Sequence, residues 1–288
     1  MHITREQQGP LRACLRLHGS HRDDDGSYFR YVVRLHIFRG LPDIRFDYTF
    51  VNDHTPTTMS GVDNLTCRWK LAGDGPFTHH LEGPRKKFTR LFQVDDRQYR
   101  IDGEPGGRHA AGWAAAWGPN GGLAVGVRHF WQNWPKGLSV GDGQIGVGLL
   151  PQFPRGTYDG RPIREEAKLY YYLRDGKYSF KLGVAKTHEI WARFLPSPPN
   201  PVQLDTHFRG LHQRLLAEPT PQRIADTEVL GDMPPARPGP SSDYDKWFSG
   251  FLDKHLRGRD EVRVYGLLNH GDWYSIQWDS WGNLEYDT

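Results

Sequence analysis

The stretch "GVRHFWQNWPKGLSVGDGQIGVGLLP", residues 126–151, sets His129, Trp131, Gln132, Asn133, Trp134 and Lys136 close together. Large aromatic rings alternate there with imidazole, amide and ammonium groups. Sugars are held this way, with aromatic faces under their CH groups and polar side chains on their hydroxyls. The spacing therefore suits a carbohydrate cleft at a strand end and its loop. A Trp-rich sandwich core with a hydrogen-bonded histidine is the plainer explanation of the same residues. A second aromatic and polar stretch closes the chain. Asn269, His270, Asp272, Trp273 and Tyr274 are followed by Trp281, Asn283, Glu285 and Tyr286, with Gly271 and Gly282 permitting tight turns. Core packing does not call for so many polar side chains beside so many rings, so this segment is either a functional surface or a packed domain junction. A third pair, His188 and Glu189 in "AKTHEIWARF", sits on adjacent strand positions. Adjacent strand residues point to opposite faces, so the two do not serve one site. They also lack the second histidine of a helical zinc motif.

Other chemistries find no support. There is no G-x-S-x-G, no phosphate-binding glycine loop and no spaced Cys/His cluster. The glycines of "GDGQIGVG" continue a strand pattern instead of opening a helix, which argues against a dinucleotide site. No pair of carboxylates is singled out for glycoside hydrolysis. Cys14 and Cys67 have neither metal nor disulfide spacing, and no calcium loop is visible, so no cofactor or metal is expected.

The elements that must position these residues are strands. In "YFRYVVRLHIF", residues 28–38, Phe29, Tyr31, Val33, Leu35 and Ile37 alternate with Arg30, Val32, Arg34, His36 and Phe38. "LRACLRLHG" predicts Leu11, Ala13, Leu15 and Leu17 inside, with Arg12, Cys14 and Arg16 outside. "DIRFDYTFVN" places Ile44, Phe46, Tyr48 and Phe50 on one face. Further strands are expected near 65–71, 86–94, 109–117, 122–133, 144–150, 167–174 and 178–194. Many antiparallel strands with short turns predict a mainly β chain, an antiparallel β-sandwich over residues 1–200. Leu204, Phe208, Leu211 and Leu215 then form one helical stripe, and a proline-rich linker runs to residue 240. From Ser242, an N-cap candidate, a second helix carries Tyr244, Trp247, Phe248, Phe251, Leu252 and His255 on one face, with Gly258 as its stop. A lone helix of about 16 residues cannot bury such a stripe by itself.

Bulk properties exclude some partners. Charged residues are 25% and aromatic residues 13%, which marks a folded chain. The net charge of +3, from 37 basic and 34 acidic residues, is too small to argue for nucleic acid or an anionic membrane. No run has the length of a membrane span, and the first residues hold no apolar leader segment. Localisation stays open.

Taken together, the segments resemble the exo-rhamnogalacturonan lyase-like proteins, also called PcRGLX/YetA-like. The resemblance rests on "GPLRACLRLHGSH" with "FRYVVRLHIFRGLPDIRFDYTFVND", on "GLAVGVRHFWQNWPKGL", on "YYLRDGKYSFKLGVAKTHEIWARF", and on "GDWY" with "WGNLEYDT". It implies three domains in a complete member: a β-barrel-like domain, a central β-sandwich and an α/α toroid. By this resemblance the chain is a truncated member. It begins inside the β-rich region and ends just after the toroid starts, with residues 241–288 as that start. The implied chemistry is β-elimination on an acidic plant or microbial polysaccharide. Such a reaction needs a group to neutralise the uronate carboxylate, a base for the C5 proton and an acid for the leaving oxygen. Asn269 suits the first role, and His270 or Tyr274 the others. His129, Trp131, Asn133, Lys136, Asp272, Trp273, Trp281, Asn283 and Tyr286 are the expected substrate contacts. Two other classes remain open: a non-catalytic carbohydrate-binding or structural sandwich, and a fragment of a glycoside hydrolase.

Overall fold

Alternation of apolar and polar residues decides the first two thirds of the chain. The computed structural model describes residues 1–24, 26–81, 88–161, 172–213, 216–229, 231–232, 235, 243–261, 263–267, 273–275 and 280–282, the last two as backbone. Strands β1 (His2–Gln8), β2 (Arg12–Asp23), β3 (Gly26–Phe38) and β4 (Asp43–Val51) form a meander. Then come β5 (Met59–Val62), β6 (Leu65–Lys70), β7 (Thr78–His80), β8 (Phe88–Gln93), β9 (Tyr99–Ile101) and β10 (Glu104–Gly107). The next four are β11 (Trp113–Gly118), β12 (Gly121–Val127), β13 (Lys136–Gly141) and β14 (Gln144–Leu150). β15 (Tyr178–Lys181) and β16 (Ala185–Leu195) complete the series.

Two antiparallel sheets result. One has eight strands in the order β1-β2-β3-β4-β16-β12-β11-β7, and the other six, β10-β9-β8-β13-β14-β6. Between them lies a core built from both, with Phe50, Val125 and Ile190 from the first sheet and Leu91, Leu138, Val140, Ile145 and Val147 from the second. The protein is a mainly β antiparallel sandwich, as the alternation predicts.

Several expected boundaries shift for local reasons. The strand expected over 122–133 ends at Val127, because His129 takes a left-handed φ of 55°. The one expected over 178–194 divides at Gly183, whose φ is 89°, and β15 pairs with β5 in a separate ribbon. Residues 162–171, which hold most of the strand expected near 167–174, lie outside the described residues. Asp142 and Gly143, with φ of 50° and 72°, make the two-residue turn joining β13 to β14, where Gly141 pairs with Gln144. On β2 the expected inside and outside are only half right. Leu11 is exposed and Leu15 and Leu17 half-buried, whereas Cys14 is buried on the opposite face. The cause is local: β1 is exposed along its length, so this end of the sheet lies at the margin of the core, and Glu6 and its neighbours cover Cys14.

Helix α1 (Pro201–Gly210) packs on the outer face of the eight-stranded sheet. Its start is explicit: Asn200 accepts from the Val202 amide at 2.9 Å, and Pro201 occupies the first turn. Leu204 and Phe208 bury against Trp113, Ala115, Ala124 and Leu195. With α1 above and the second sheet below, β12 is apolar on both faces, which explains its unalternating "GGLAVGV". One unit comprises Met1–His212 and Tyr265–His270.

The other unit comprises Gln213–Val264 and Gly271–Thr288. Its elements are α2 (Pro221–Thr227), α3 (Asp243–Glu261) and a ribbon of β17 (Trp273–Ser275) with β18 (Ser280–Gly282). Helix α3 continues through Gly258 to Glu261, past the expected stop; a glycine within a helix costs only about 1 kcal/mol. Trp247 and Phe251 stack one turn apart at 5.7 Å, and Trp247, Phe248, Phe251, Leu252 and Leu256 are all exposed.

Candidate functional site

The aromatic tract is a tight turn between β12 and β13. The Arg128 amide extends the ladder by one bond to the Glu189 carbonyl at 3.0 Å, and the chain then reverses at His129. Both the backbone amide and the side-chain Nδ2 of Asn133 donate to the His129 carbonyl, each at 3.0 Å. Phe130 is buried and lies against Gly112, whose φ of 79° and missing side chain leave room for that ring. The peptide between Trp134 and Pro135 is cis. Trp134 is buried, with its ring stacked on Tyr158 at 5.9 Å.

Residues 265–267 return to this turn. The Gly266 amide donates to the Gln132 carbonyl at 2.8 Å, and the Leu267 amide to the Trp134 carbonyl at 2.7 Å. Trp131 is half-buried between two partners. His109 stacks on it at 3.8 Å with planes 6° apart, and Tyr265 tilts against it at 5.0 Å. Its orientation is thus fixed before any ligand arrives.

The polar groups fall into two kinds. Some serve the fold. Lys136 is fully buried and donates to the carbonyls of Asn133, Pro135 and Leu149 at 2.8, 3.1 and 2.9 Å. Burial, and the Lys186 cation, lower its pKa, yet three acceptors match the three protons of an ammonium. Its role is to tie the turn to β14, and it has no surface to offer a sugar. Asn133 likewise holds the turn closed. Others face outward at the rim. The Arg128 guanidinium lies 3.5 Å from Glu189, which also accepts from the Trp191 indole at 2.6 Å. The His129 amide points to His212 Nδ1 at 3.4 Å, and the two rings are 5.5 Å apart. Burial, then His129 and Arg128, push the His212 pKa down. With Nδ1 accepting, neutral His212 carries its proton on Nε2 and acts as a donor.

Three buried polar atoms of the turn have no hydrogen-bond partner among the described residues: Arg128 Nε, Gln132 Oε1 and Trp134 Nε1. Buried polar atoms are rarely left so, and each calls for an explanation. No group of three or more potential metal ligands occurs among the described residues.

Of the expected site residues, the structure brings His129, Trp131, Asn133 and Lys136 into one turn, the first two at its rim and the last two inside it. Trp273, Tyr274 and Trp281 lie on the β17–β18 ribbon, where Tyr274 and Trp281 are register partners. Asn269, His270, Asp272, Asn283 and Tyr286 lie outside the described residues. Sequence reasoning missed His109, His212 and Tyr265, which come from distant segments with no shared motif. Glu189 was visible only as half of a pair; its neighbour His188 is buried in the core, as strand alternation requires.

Two packed antiparallel sheets with an aromatic, polar turn at one rim define a β-sandwich domain protein. The family description "PcRGLX-like protein central beta sandwich domain" matches residues 1–72 and 94–147 of the chain. No curated protein matches the chain. Among solved structures, it is similar to the Slr1438 protein of Synechocystis sp. at 12% identity and a TM-score of 0.37, covering 68% of this chain and 66% of that one. A TPR-domain containing protein of Parabacteroides distasonis gives 11% identity and a TM-score of 0.36, covering 76% of this chain and 36% of that one. A galactose mutarotase-like protein of Lactobacillus casei gives 12% and 0.34, covering 67% and 72%. The chain thus spans less than two thirds of the length of the first two.

Proposed function

We propose that the chain is a polysaccharide lyase-like protein that binds an acidic, uronate-containing polysaccharide at the rim formed by Arg128, His129 and Trp131. The supporting observation is Trp131, a half-buried indole stacked by His109 and contacted by Tyr265, in the same turn as Arg128. A pre-oriented ring loses little freedom on binding, and a guanidinium suits a carboxylate. The match of residues 1–72 and 94–147 to the PcRGLX-like central sandwich agrees with the resemblance from which the substrate class is taken. In this proposal Asn269, His270 and Tyr274 carry out the β-elimination, with Asp272, Trp273, Trp281, Asn283 and Tyr286 as further sugar contacts and the segment from residue 241 as the start of an α/α toroid.

Isothermal titration of the chain with rhamnogalacturonan oligosaccharides tests this. The expected result is binding that Trp131→Ala weakens by about tenfold, in line with the loss of one stacked ring. Ultraviolet absorbance of an unsaturated uronate end reports elimination, and a reducing end without it reports hydrolysis. Failure to bind any acidic oligosaccharide overturns the proposal. Binding without product favours the second reading, a non-catalytic carbohydrate-binding sandwich. One observation speaks for that reading: at the rim, Arg128 and Glu189 are ion-paired with each other and His212 is fixed as a donor.

A further inference from the structure

The two sheets differ in width, and the wider one overhangs. The second sheet ends at β6, and β6 lies beneath β4, where Trp69 meets Phe46 edge-on at 5.9 Å. The first sheet continues past that point through β3, β2 and β1. Among the described residues no strand of the second sheet lies beyond β6, and its outer edge has no neighbour.

Register defines what the overhang shows on its inner side. Ile3, Leu17 and Val33 form one row, which continues to Tyr48 on β4. Arg5, Leu15 and Leu35 form the next, which continues to Phe46. Ala13 and Ile37 follow in a third row, which continues to Ile44. Tyr48 belongs to the inter-sheet core and Phe46 packs against it, so these rows lie on the inner face. Burial falls outward along the first row: Tyr48 is 8% exposed, Val33 and Leu17 are half-buried, and Ile3 is 59% exposed. Ile3, Leu15, Leu17, Leu35 and Ile37 lie outside both apolar cores.

An uncovered face of an antiparallel sheet ordinarily carries polar residues. This one carries aliphatic side chains across three strands, a shelf roughly 14 Å wide and 20 Å long. Apolar patches of this kind mark contact surfaces. The gap below the shelf is three strands wide and bounded on one side by the open edge of β6. A second copy of the chain, turned by half a turn about an axis parallel to the strands, offers a surface of the same width and chemistry. Its β1 then lies beneath β3 and beside β6, its β2 beneath β2, and its β3 beneath β1. Each overhang completes the shorter sheet of the other copy, so the contact is closed and isologous. Positions along the strands are kept by this rotation. Leu17 therefore faces Leu17 of the second copy, Leu15 faces Leu15, and Ile3 faces Val33. Arg5 is the one charged side chain in these rows; it sits on the outermost strand, so its two copies are at opposite margins and reach water.

We propose that the shelf of β1, β2 and β3 is an interface at which two copies of the chain pair face to face. The footprint, roughly 300 Å² on each copy, is at the small end for specific contacts, so the pairing is weak and depends on concentration. It is independent of any role of the Trp131 rim.

The test uses the full chain. Sedimentation equilibrium from about 1 to 500 µM is expected to show reversible dimerisation, with a Kd on the order of 100 µM. Leu17→Glu sets two carboxylates against each other on the axis and is expected to remove the dimer over this range. A mixture of methyl-labelled and unlabelled wild-type chain needs no variant, and is expected to give intermolecular contacts between Ile3 and Val33. A chain that stays monomeric throughout the range overturns the proposal. A dimer that a folded Leu17→Glu variant retains, or that lacks the contact between Ile3 and Val33, also overturns it and moves the interface to another face. Leu15 and Leu17 methyl signals that follow added trigalacturonate, with no change in mass, would give the shelf to a sugar and overturn it as well.

Discussion

The residues that decide the chemistry of the interior are few and polar. His188 is buried with its Nε2 unpartnered among the described residues, and Lys136 and Lys186 lie near it. Burial, then these two cations, hold its pKa well below the ordinary imidazole value. His36 and His212 shift in the same direction, again mainly through burial. The folded protein therefore keeps these rings neutral, while the unfolded chain protonates them near pH 6.5. Their contribution is fully present above that pH and is lost as pH falls below it. Urea midpoints are expected to drop between about pH 7.5 and 5.5, with a limiting slope of roughly 1.4 kcal/mol per pH unit for one such group. Glu6, whose pKa its bond to Arg34 lowers, titrates below this window, so the two effects separate. His188→Leu is expected to flatten the profile. A slope unchanged by that substitution would show that His188 is not the group responsible. The thiols follow the same logic: burial raises Cys67 to about 11, and burial followed by its bond to Glu6 raises Cys14, so both stay protonated at neutral pH.

At the scale of elements, helix α1 does the most to shape the outer face. Its stripe of Leu204 and Phe208 closes a small second core on Trp113, Ala115, Ala124 and Leu195, and Asp205 accepts from the Trp113 indole at 3.1 Å. Gly126 has no side chain because the Phe208 ring occupies that space. Phe208→Ala removes the ring and leaves its cavity, so a loss of about 3 kcal/mol is expected in urea unfolding followed by tryptophan fluorescence. A loss below about 1 kcal/mol would mean that α1 only rests on the sheet. Much of this level was legible in advance. Period-two runs located β2, β3 and β4, and Leu204 and Phe208 located α1, while Leu211 falls just past its end and Leu215 lies outside the described residues. The hairpin at Asp142–Gly143 is hidden in sequence, because the glycines of "GDGQIGVG" read as the continuation of a strand. What the pattern could not supply was the receiving surface. Nothing in "GGLAVGV" says that a helix seventy-odd residues later will cover its second face, and nothing in "LRACLRLHG" says that a charged layer will bury Cys14.

At the scale of the molecule, the candidate site is made by return of the chain to an earlier segment. The aromatic tract could be picked out from its composition. Its setting could not, because His109, Glu189, His212 and Tyr265 reach it from separate parts of the sequence, and long-range pairing leaves no local signal. The returning segment is anchored by Leu267, which is 1% exposed and belongs to the same core as Val125 and Leu138. Its amide bonds to the Trp134 carbonyl, and Gly266 lies against the Trp134 ring. If this anchor is part of the sandwich and not a loose strap, truncating it must act on the sandwich as a whole. Leu267→Ala is expected to cost about 3 kcal/mol in global stability, the usual range for a buried leucine. It is also expected to weaken oligosaccharide binding, because Tyr265, two residues away, steadies Trp131. A variant that keeps its urea midpoint while losing binding would show that the segment serves the rim alone. A variant that loses neither would show that residues 265–267 contribute to neither the core nor the site.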